Sequence, residues 1–170
     1  LRVLEEGNGT PAAADAGSLL HAPFERQAAD TPGAVALVTE AGNVTYAELD
    51  ARAGRVAHAL RALGVGPDTV VALAAERSAE MVVGMLAVLK AGGAYLPLDP
   101  ALPADRLAWV LEDARPRAVL AQAGLRAGLP DAGVPVVVIE EAQAGDGPAA
   151  PLDCGAGGDT LAYVIYTSGS

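Results

Sequence analysis

The sequence predicts an α/β fold, a mainly parallel sheet with helices on both faces. Three observations carry that expectation. Helical periodicities alternate with short apolar runs along most of the chain. Those runs are continuously apolar, as strands buried on both faces are, and lack the in–out alternation of a sheet wetted on one side. The composition supplies a core to match: 52% of the 170 residues are apolar and the mean hydropathy is +0.32. Aromatics are only 4%, so that core must be built from Ala, Val and Leu.

The elements follow in order. Glu5–Ser18 is small, polar and Pro/Gly-containing, the composition of a linker, so residues 1–18 are expected to lead into a domain spanning 19–170. Ser18 is placed to cap a helix in which Leu20, Phe24 and Ala28 recur every four residues, and Thr31-Pro32 stops it. Ala34–Thr39 suits a strand closed by a turn at Ala41-Gly42-Asn43. Thr45 and Glu48 have capping-box spacing, and the helix they open puts Leu49, Ala53, Val56, Ala57, Leu60 and Leu63 on one face before Gly64.

Val70–Ala74 reads as the next strand. Ser78 then caps a helix through Ala91 whose Met81, Val82, Met85, Leu86, Val88 and Leu89 are too many for one stripe, so it should be covered on most sides. Gly92-Gly93 ends that helix and Tyr95–Leu98 is a short strand. Pro103 fits the first turn of a helix with Leu107, Val110, Leu111 and Ala114 facing inward, closed by Arg115-Pro116. Ala118–Ala121 and Val136–Ile139 are further buried-type strands, Glu140–Gly158 is a loop, and Leu161–Tyr166 is a final buried strand running into Thr167-Ser168-Gly169-Ser170.

Charge and composition exclude several functions. The net charge is −10, and Lys90 is the only lysine beside ten scattered arginines, so the clustered cations that nucleic-acid phosphates demand are missing. Cys154 is the sole cysteine, which rules out an internal disulfide, and with no His nearby it reads as a loop thiol. Apolar runs such as Met81–Leu89 are too short to span a bilayer, and Leu1–Glu6 lacks the basic start and apolar stretch of a signal peptide. A soluble cytoplasmic chain, with neither nucleic acid nor membrane as partner, is expected.

Chemistry concentrates at the end. A strand that finishes in Thr167-Ser168-Gly169-Ser170 presents hydroxyls and backbone N–H groups at its carboxyl end, where ligands bind in parallel α/β sheets. A loop of small residues lets the backbone approach an anion as a nest, but it suits a plain surface turn equally well. No Walker, Rossmann or nucleophile-elbow spacing is present.

Tyr163–Ser170 resembles the start of the phosphate-binding motif of the adenylate-forming superfamily, which usually continues Thr-Gly-x-Pro-Lys-Gly. Leu89–Pro100 (LKAGGAYLPLDP) resembles a second core motif of one branch, the adenylation domains of nonribosomal peptide synthetases, and Val44–Leu49 (VTYAEL) resembles the first. Val3–Thr10 is similar to the segment that leaves a condensation domain, with Gly7 where that family often has Trp. The resemblance implies the N-terminal part of an adenylation domain, reached through a condensation–adenylation linker and stopping inside the phosphate motif.

What it implies further is amino-acid activation by ATP with Mg²⁺ to an aminoacyl-AMP, then transfer to the phosphopantetheine thiol of a carrier protein. Thr167, Ser168, Gly169 and Ser170 would hold the phosphates, and no catalytic residue and no metal ligand would lie within these 170 residues. Partners implied are an upstream condensation domain, a downstream carrier domain and, near Ala114, a small MbtH-like protein that some such domains bind. Two alternatives stay open: a non-catalytic scaffold piece beside a condensation domain, and the start of an acyl-CoA ligase.

The other polar candidates read as structural. His21 and His58 lack ligand-spaced partners, and Glu112-Asp113 and Glu140-Glu141 are adjacent acids on different helix faces or in a loop. Lys90 fits the favourable field at a helix C-terminus.

Overall fold

A computed structural model of the chain describes residues 18–167. The expected linker therefore lies outside the described residues except for Ser18. The elements are α1 (Ala22–Asp30), β1 (Val35–Thr39), β2 (Gly42–Thr45), α2 (Tyr46–Ala62), β3 (Val70–Ala74), α3 (Ala79–Lys90), β4 (Ala94–Leu98), α4 (Ala104–Ala114), β5 (Ala118–Ala121), a 3₁₀ turn (Ala123–Gly128), β6 (Val136–Val138) and α5 (Ile139–Ala144).

The expected parallel sheet is there, in the order β4-β3-β5-β6 with every pair parallel. Successive side chains leave a strand on opposite faces, so each strand feeds two cores. Val71 and Leu73 of β3, with Ala118 and Leu120 of β5, pack under α2, α3 and Ile139. Ala72, Ala74, Val119 and Ala121 face the other way with Leu96 and Leu98, against Leu107, Val110 and Leu111 of α4. Each fully buried Leu or Val contributes roughly 1.5–3 kcal/mol, so both layers matter.

Four expected elements need correction. The first helix is not capped by Ser18: its N-cap is His21, without a side-chain bond, Pro23 occupies the first turn, and Leu20 is exposed. Pro23 suits that position because the amide hydrogen it lacks would have no partner there. Likewise Pro103 precedes α4 as its N-cap rather than sitting within it. The run at Val136 ends one residue early, and Ile139 opens the short helix α5 inside what reads as loop. The expected turn at Ala41–Asn43 falls instead at Glu40-Ala41, and Gly42 and Asn43 already belong to β2, which forms an antiparallel hairpin with β1 apart from the main sheet.

The capping box holds as expected: the Thr45 hydroxyl accepts from the Glu48 amide at 3.3 Å, and the Glu48 carboxylate accepts from the Thr45 amide at 2.8 Å. Those bonds pull the Glu48 carboxyl below its ordinary pKa, first through the Thr45 backbone and then through its side chain. Ser78 caps α3 by accepting from the Met81 amide. Gly92 ends it at φ +85°, where a Cβ would also meet the Cys154 carbonyl oxygen at 2.9 Å. Gly54 marks another close approach. Ala in a helix is favoured over Gly by up to about 1 kcal/mol, yet a Cβ at Gly54 would lie 2.8 Å from the backbone oxygen of Ala149. Sterics win at that position.

Lys90 does more than sit near a helix end. It is 5% exposed, and its ammonium is paired with Glu25 of α1 and, at 3.1 Å, with Asp50 of α2. Three helices meet on one charge. His58 and Cys154 are likewise placed: His58 Nε2 lies 3.1 Å from the Ala150 oxygen, and Cys154 is buried against Gly92.

Lys90→Met keeps the volume but leaves two carboxylates without their cation. The expected loss in chemical denaturation is about 2 kcal/mol, below the 3–5 usual for a broken buried pair, because the Glu25 and Asp50 side chains are 38% and 30% exposed and regain water.

His21 gives a pH signature in the same region. It is buried, and burial pushes its pKa below the ordinary 6.5; Glu25 acts against that and Lys90 with it. With the folded pKa lower than the unfolded one, the unfolded chain takes up the proton first. Stability is then full above 6.5 and falls as pH drops through that value toward the folded pKa. Urea denaturation should show stability falling as pH drops below 6.5, a loss that His21→Gln flattens, distinct from the Glu48 contribution, which is lost only in the carboxylate range.

Candidate functional site

The carboxyl ends of β3, β4, β5 and β6 share one rim of the sheet, the position where parallel α/β folds collect ligands. Several sequence features converge there. β3 ends at Ala74 and runs through Ala75–Arg77 to the capped start of α3, and β4 ends at Leu98 before the turn at Asp99, whose carboxylate accepts from the Ala101 amide at 2.9 Å. Gln122, just past β5, ties the rim together. Its side-chain oxygen accepts from the Glu76 amide at 2.5 Å, and its amide nitrogen donates to Ser78 Oγ at 3.0 Å. Glu140, at the start of α5, accepts from the Ala123 amide at 2.9 Å. Glu140 is thus a strut between loops rather than a solvated acid.

The final segment reaches the same rim along the free edge of β4. The Tyr95 amide donates to the Ala162 oxygen at 3.1 Å, and the Val164 amide donates to the Tyr95 oxygen at 3.0 Å, one parallel bridge centred on Tyr95 and Tyr163. Leu161 is held at its amide by the Asp68 carboxylate at 3.0 Å. The expected buried strand is therefore only a bridged extended segment. Leu161, Tyr163 and Ile165 are exposed on one side, while Val164 and Tyr166 pack on the α4-side core. The apolar run marks an edge strand covered on one face.

Between β3, β4 and the start of α3 lies a groove of about 540 Å³, lined among others by Leu73, Met81, Met85, Tyr95, Pro97 and Pro100. Its walls are mainly apolar, with Glu76, Arg77 and Asp99 joining the lining just past the ends of β3 and β4. Tyr95 forms one wall and its ring lies 5.8 Å from that of Tyr163. Burial, then the neighbouring Tyr163 phenol, pushes the Tyr95 pKa up, so Tyr95 is a packing surface rather than an acid.

Of the four residues assigned to phosphate binding, Thr167 is described: it is exposed and follows Tyr166 at the rim. Ser168, Gly169 and Ser170 lie outside the described residues. Tyr166 itself was missed by sequence reasoning. Its hydroxyl donates to Asp113 Oδ2 of α4 at 2.5 Å, and that bond, more than burial, raises the Tyr166 pKa. A Tyr three residues beyond the bridge and an Asp on a neighbouring helix give no sequence spacing from which to infer the pair. The groups assembled here are the hydroxyls of Ser78, Tyr166 and Thr167, apolar walls, and backbone amides that the Gln122, Asp99 and Glu140 side chains engage. Hydroxyls at such a rim can donate to an anion. Among the described residues, no cluster of three or more His, Cys, Asp or Glu is arranged to hold a metal ion, and no helix is long and apolar enough to cross a membrane.

Comparison with known proteins agrees with this geometry. The profile of the family described as AMP-binding enzyme matches residues 24–170. Tyrocidine synthase 3 of Brevibacillus parabrevis is 49% identical over 155 residues, and a linear gramicidin synthase of the same organism is 44% identical over 169, covering 91% and 99% of this chain. The chain spans only 2% of the length of either synthase. The AMPPNP-bound crystal structure of the nonribosomal peptide synthetase FmoA3 aligns with 99% of the chain and 18% of its own, at a TM-score of 0.89 and 39% identity. With the profile matched from Phe24 in the first helix to Ser170, the chain belongs to the AMP-binding enzyme family.

Proposed function

We propose that this chain is the N-terminal part of an adenylation domain that activates an amino acid with ATP inside a nonribosomal peptide synthetase module. The observation that carries the reading is the extended segment 161–167, bridged to β4 and bringing Thr167 to the carboxyl rim of the sheet, within the matched family profile. In this reading an amino-acid carboxylate oxygen attacks the α-phosphorus of ATP, the bond to pyrophosphate breaks, and an aminoacyl-AMP forms. A carrier-protein phosphopantetheine thiol then attacks the acyl carbon, releasing AMP and a proton and leaving the thioester. Thr167 with Ser168, Gly169 and Ser170 would hold the β- and γ-phosphates through N–H and O–H donors, a positioning role. Mg²⁺ bound with the nucleotide would neutralise charge on the phosphates.

Residues 1–18 serve in this reading as the linker from an upstream condensation domain, the carrier domain lies downstream, and the assembly is cytoplasmic. The test is amino-acid-dependent exchange of pyrophosphate into ATP by the full-length protein that carries this chain, across a panel of amino acids. Exchange is expected with one or a few of them, and Thr167→Ala should raise the KM for ATP about tenfold, the worth of one charge-assisted hydrogen bond. Absence of exchange with every amino acid, or activity only with simple carboxylic acids and coenzyme A, would overturn the reading.

We propose further that, where the parent protein uses an MbtH-like partner, the contact lies near Ala114, which is half-buried at the end of α4 beside the exposed Asp113 and Arg115. Ala114→Glu should abolish co-purification with such a protein; retained binding removes it from the proposal.

A further inference from the structure

Helix α4 carries two stripes. Leu107, Val110 and Leu111 face the sheet and explain why the helix docks. Arg106, Trp109 and Asp113, spaced three and four apart, form a second stripe at the edge of that interface. Its composition is odd for a solvated face. Trp109, the only tryptophan of the chain, is 42% exposed, and core packing does not account for it. What the stripe touches is Tyr166. The Tyr166 ring meets Trp109 edge-on, centroids 5.6 Å apart at 83°, the Arg106 guanidinium lies 4.3 Å over the indole, and the phenol hydroxyl donates to Asp113 Oδ2 at 2.5 Å. One side chain of the terminal segment is thus fixed at its ring and at its tip.

Tyr166 is the residue immediately before Thr167. Consecutive Cα atoms are about 3.8 Å apart, so where Tyr166 is held decides where the first hydroxyl of the loop can point. Upstream, the segment has one bridge at Tyr163 and exposed side chains at Leu161, Tyr163 and Ile165. Beyond that bridge and the Leu161–Asp68 bond the ladder does not extend, and the α4 stripe supplies the fixed point nearest Thr167.

We propose that Asp113 is a positioning residue for the ATP phosphates, acting through Tyr166, with Trp109 and Arg106 holding the ring. This rests on the adenylation reading above. Asp113 touches no substrate: it orients the phenol, and the phenol sets the start of the phosphate loop. Tyr166 therefore acts through its hydroxyl, and Phe at this position would keep the ring packing yet lose the bond that fixes the chain just before Thr167.

The experiment compares the full-length protein with its Tyr166→Phe, Asp113→Ala, Asp113→Asn and Tyr166→Phe/Asp113→Ala variants. Two quantities are read: the KM values in pyrophosphate exchange with the best amino acid of the panel, and the equilibrium Kd for AMPPNP with Mg²⁺. Tyr166→Phe and Asp113→Ala should each raise the KM for ATP and the Kd about three- to tenfold, the range of one ordinary intramolecular hydrogen bond, with the amino-acid KM unchanged. Asp113→Asn, whose amide oxygen still accepts the bond, should recover most of the loss. The double variant should be no worse than either single one, because both remove the same contact.

Unchanged ATP parameters in both single variants, additive losses in the double, or equal losses for ATP and amino acid would overturn the proposal, the last pointing to a merely structural contact. A parent protein that binds AMPPNP but exchanges no pyrophosphate refutes the adenylation reading and leaves the Kd series to decide the role of Asp113. One that binds no AMPPNP refutes both.

Discussion

Everything in this structure is hung on β3. It pairs in parallel with β4 on one side and β5 on the other, and Val71–Ala74 are all buried. A strand in that position has no freedom of register, since a slip of one residue would exchange the side chains of the two cores. The exchange would be costly because the cores differ in size. Toward α4 the strand offers Ala72 and Ala74, so that helix comes in on small residues and fills the space with its own leucines. Toward α3 it offers Val71 and Leu73, and α3 answers Leu73 with Gly84, where even a Cβ would lie 2.7 Å from a Leu73 methyl. Complementary volumes on the two faces fix which helix goes where.

That placement determines the rim. With β3 central, the loops after β3 and β5 are neighbours, and Gln122 can bond both the Glu76 amide and the Ser78 hydroxyl. The loop after β4 stands on the other side, and the segment 161–167 continues the sheet outward from there. The site region is therefore a row of strand ends whose outermost member is the least tightly laddered. An adaptable element at the edge of a rigid scaffold is a common location for binding loops. Here its anchoring comes from helix α4, by an aromatic contact and one hydrogen bond rather than by a strand ladder.

The legible parts of the fold are those decided locally. The Thr45 capping box, the Ser78 cap, the Gly92 stop and the apolar runs of β3, β4 and β5 each declare themselves within a few residues, and each stands where the sequence put it. Parallel pairing followed from runs that must be buried on both faces, whereas the order β4-β3-β5-β6 did not, because nothing local distinguishes a centre from an edge. That is also why Leu161–Tyr166 reads as buried and is only half so. For the site, sequence pointed to the loop but not to what holds it: Tyr166 and Asp113 are 53 positions apart, and their meeting depends on α4 and β4 being packed first. Lys90 is the same kind of miss, since a helix-end lysine fits the dipole whether or not two carboxylates from other helices close over it.

The burial of Lys90 has a further consequence for how the molecule presents charge. It is the sole lysine, so every permanent positive charge on the described surface is a guanidinium. Guanidinium groups hold their proton throughout the working range of pH and meet anions as flat, two-pronged donors. Such a surface carries no side-chain ammonium for acylating or amine-crosslinking reagents to find, and its cations neither titrate nor swivel as points of charge. The one amine that could do so has been spent on holding three helices together.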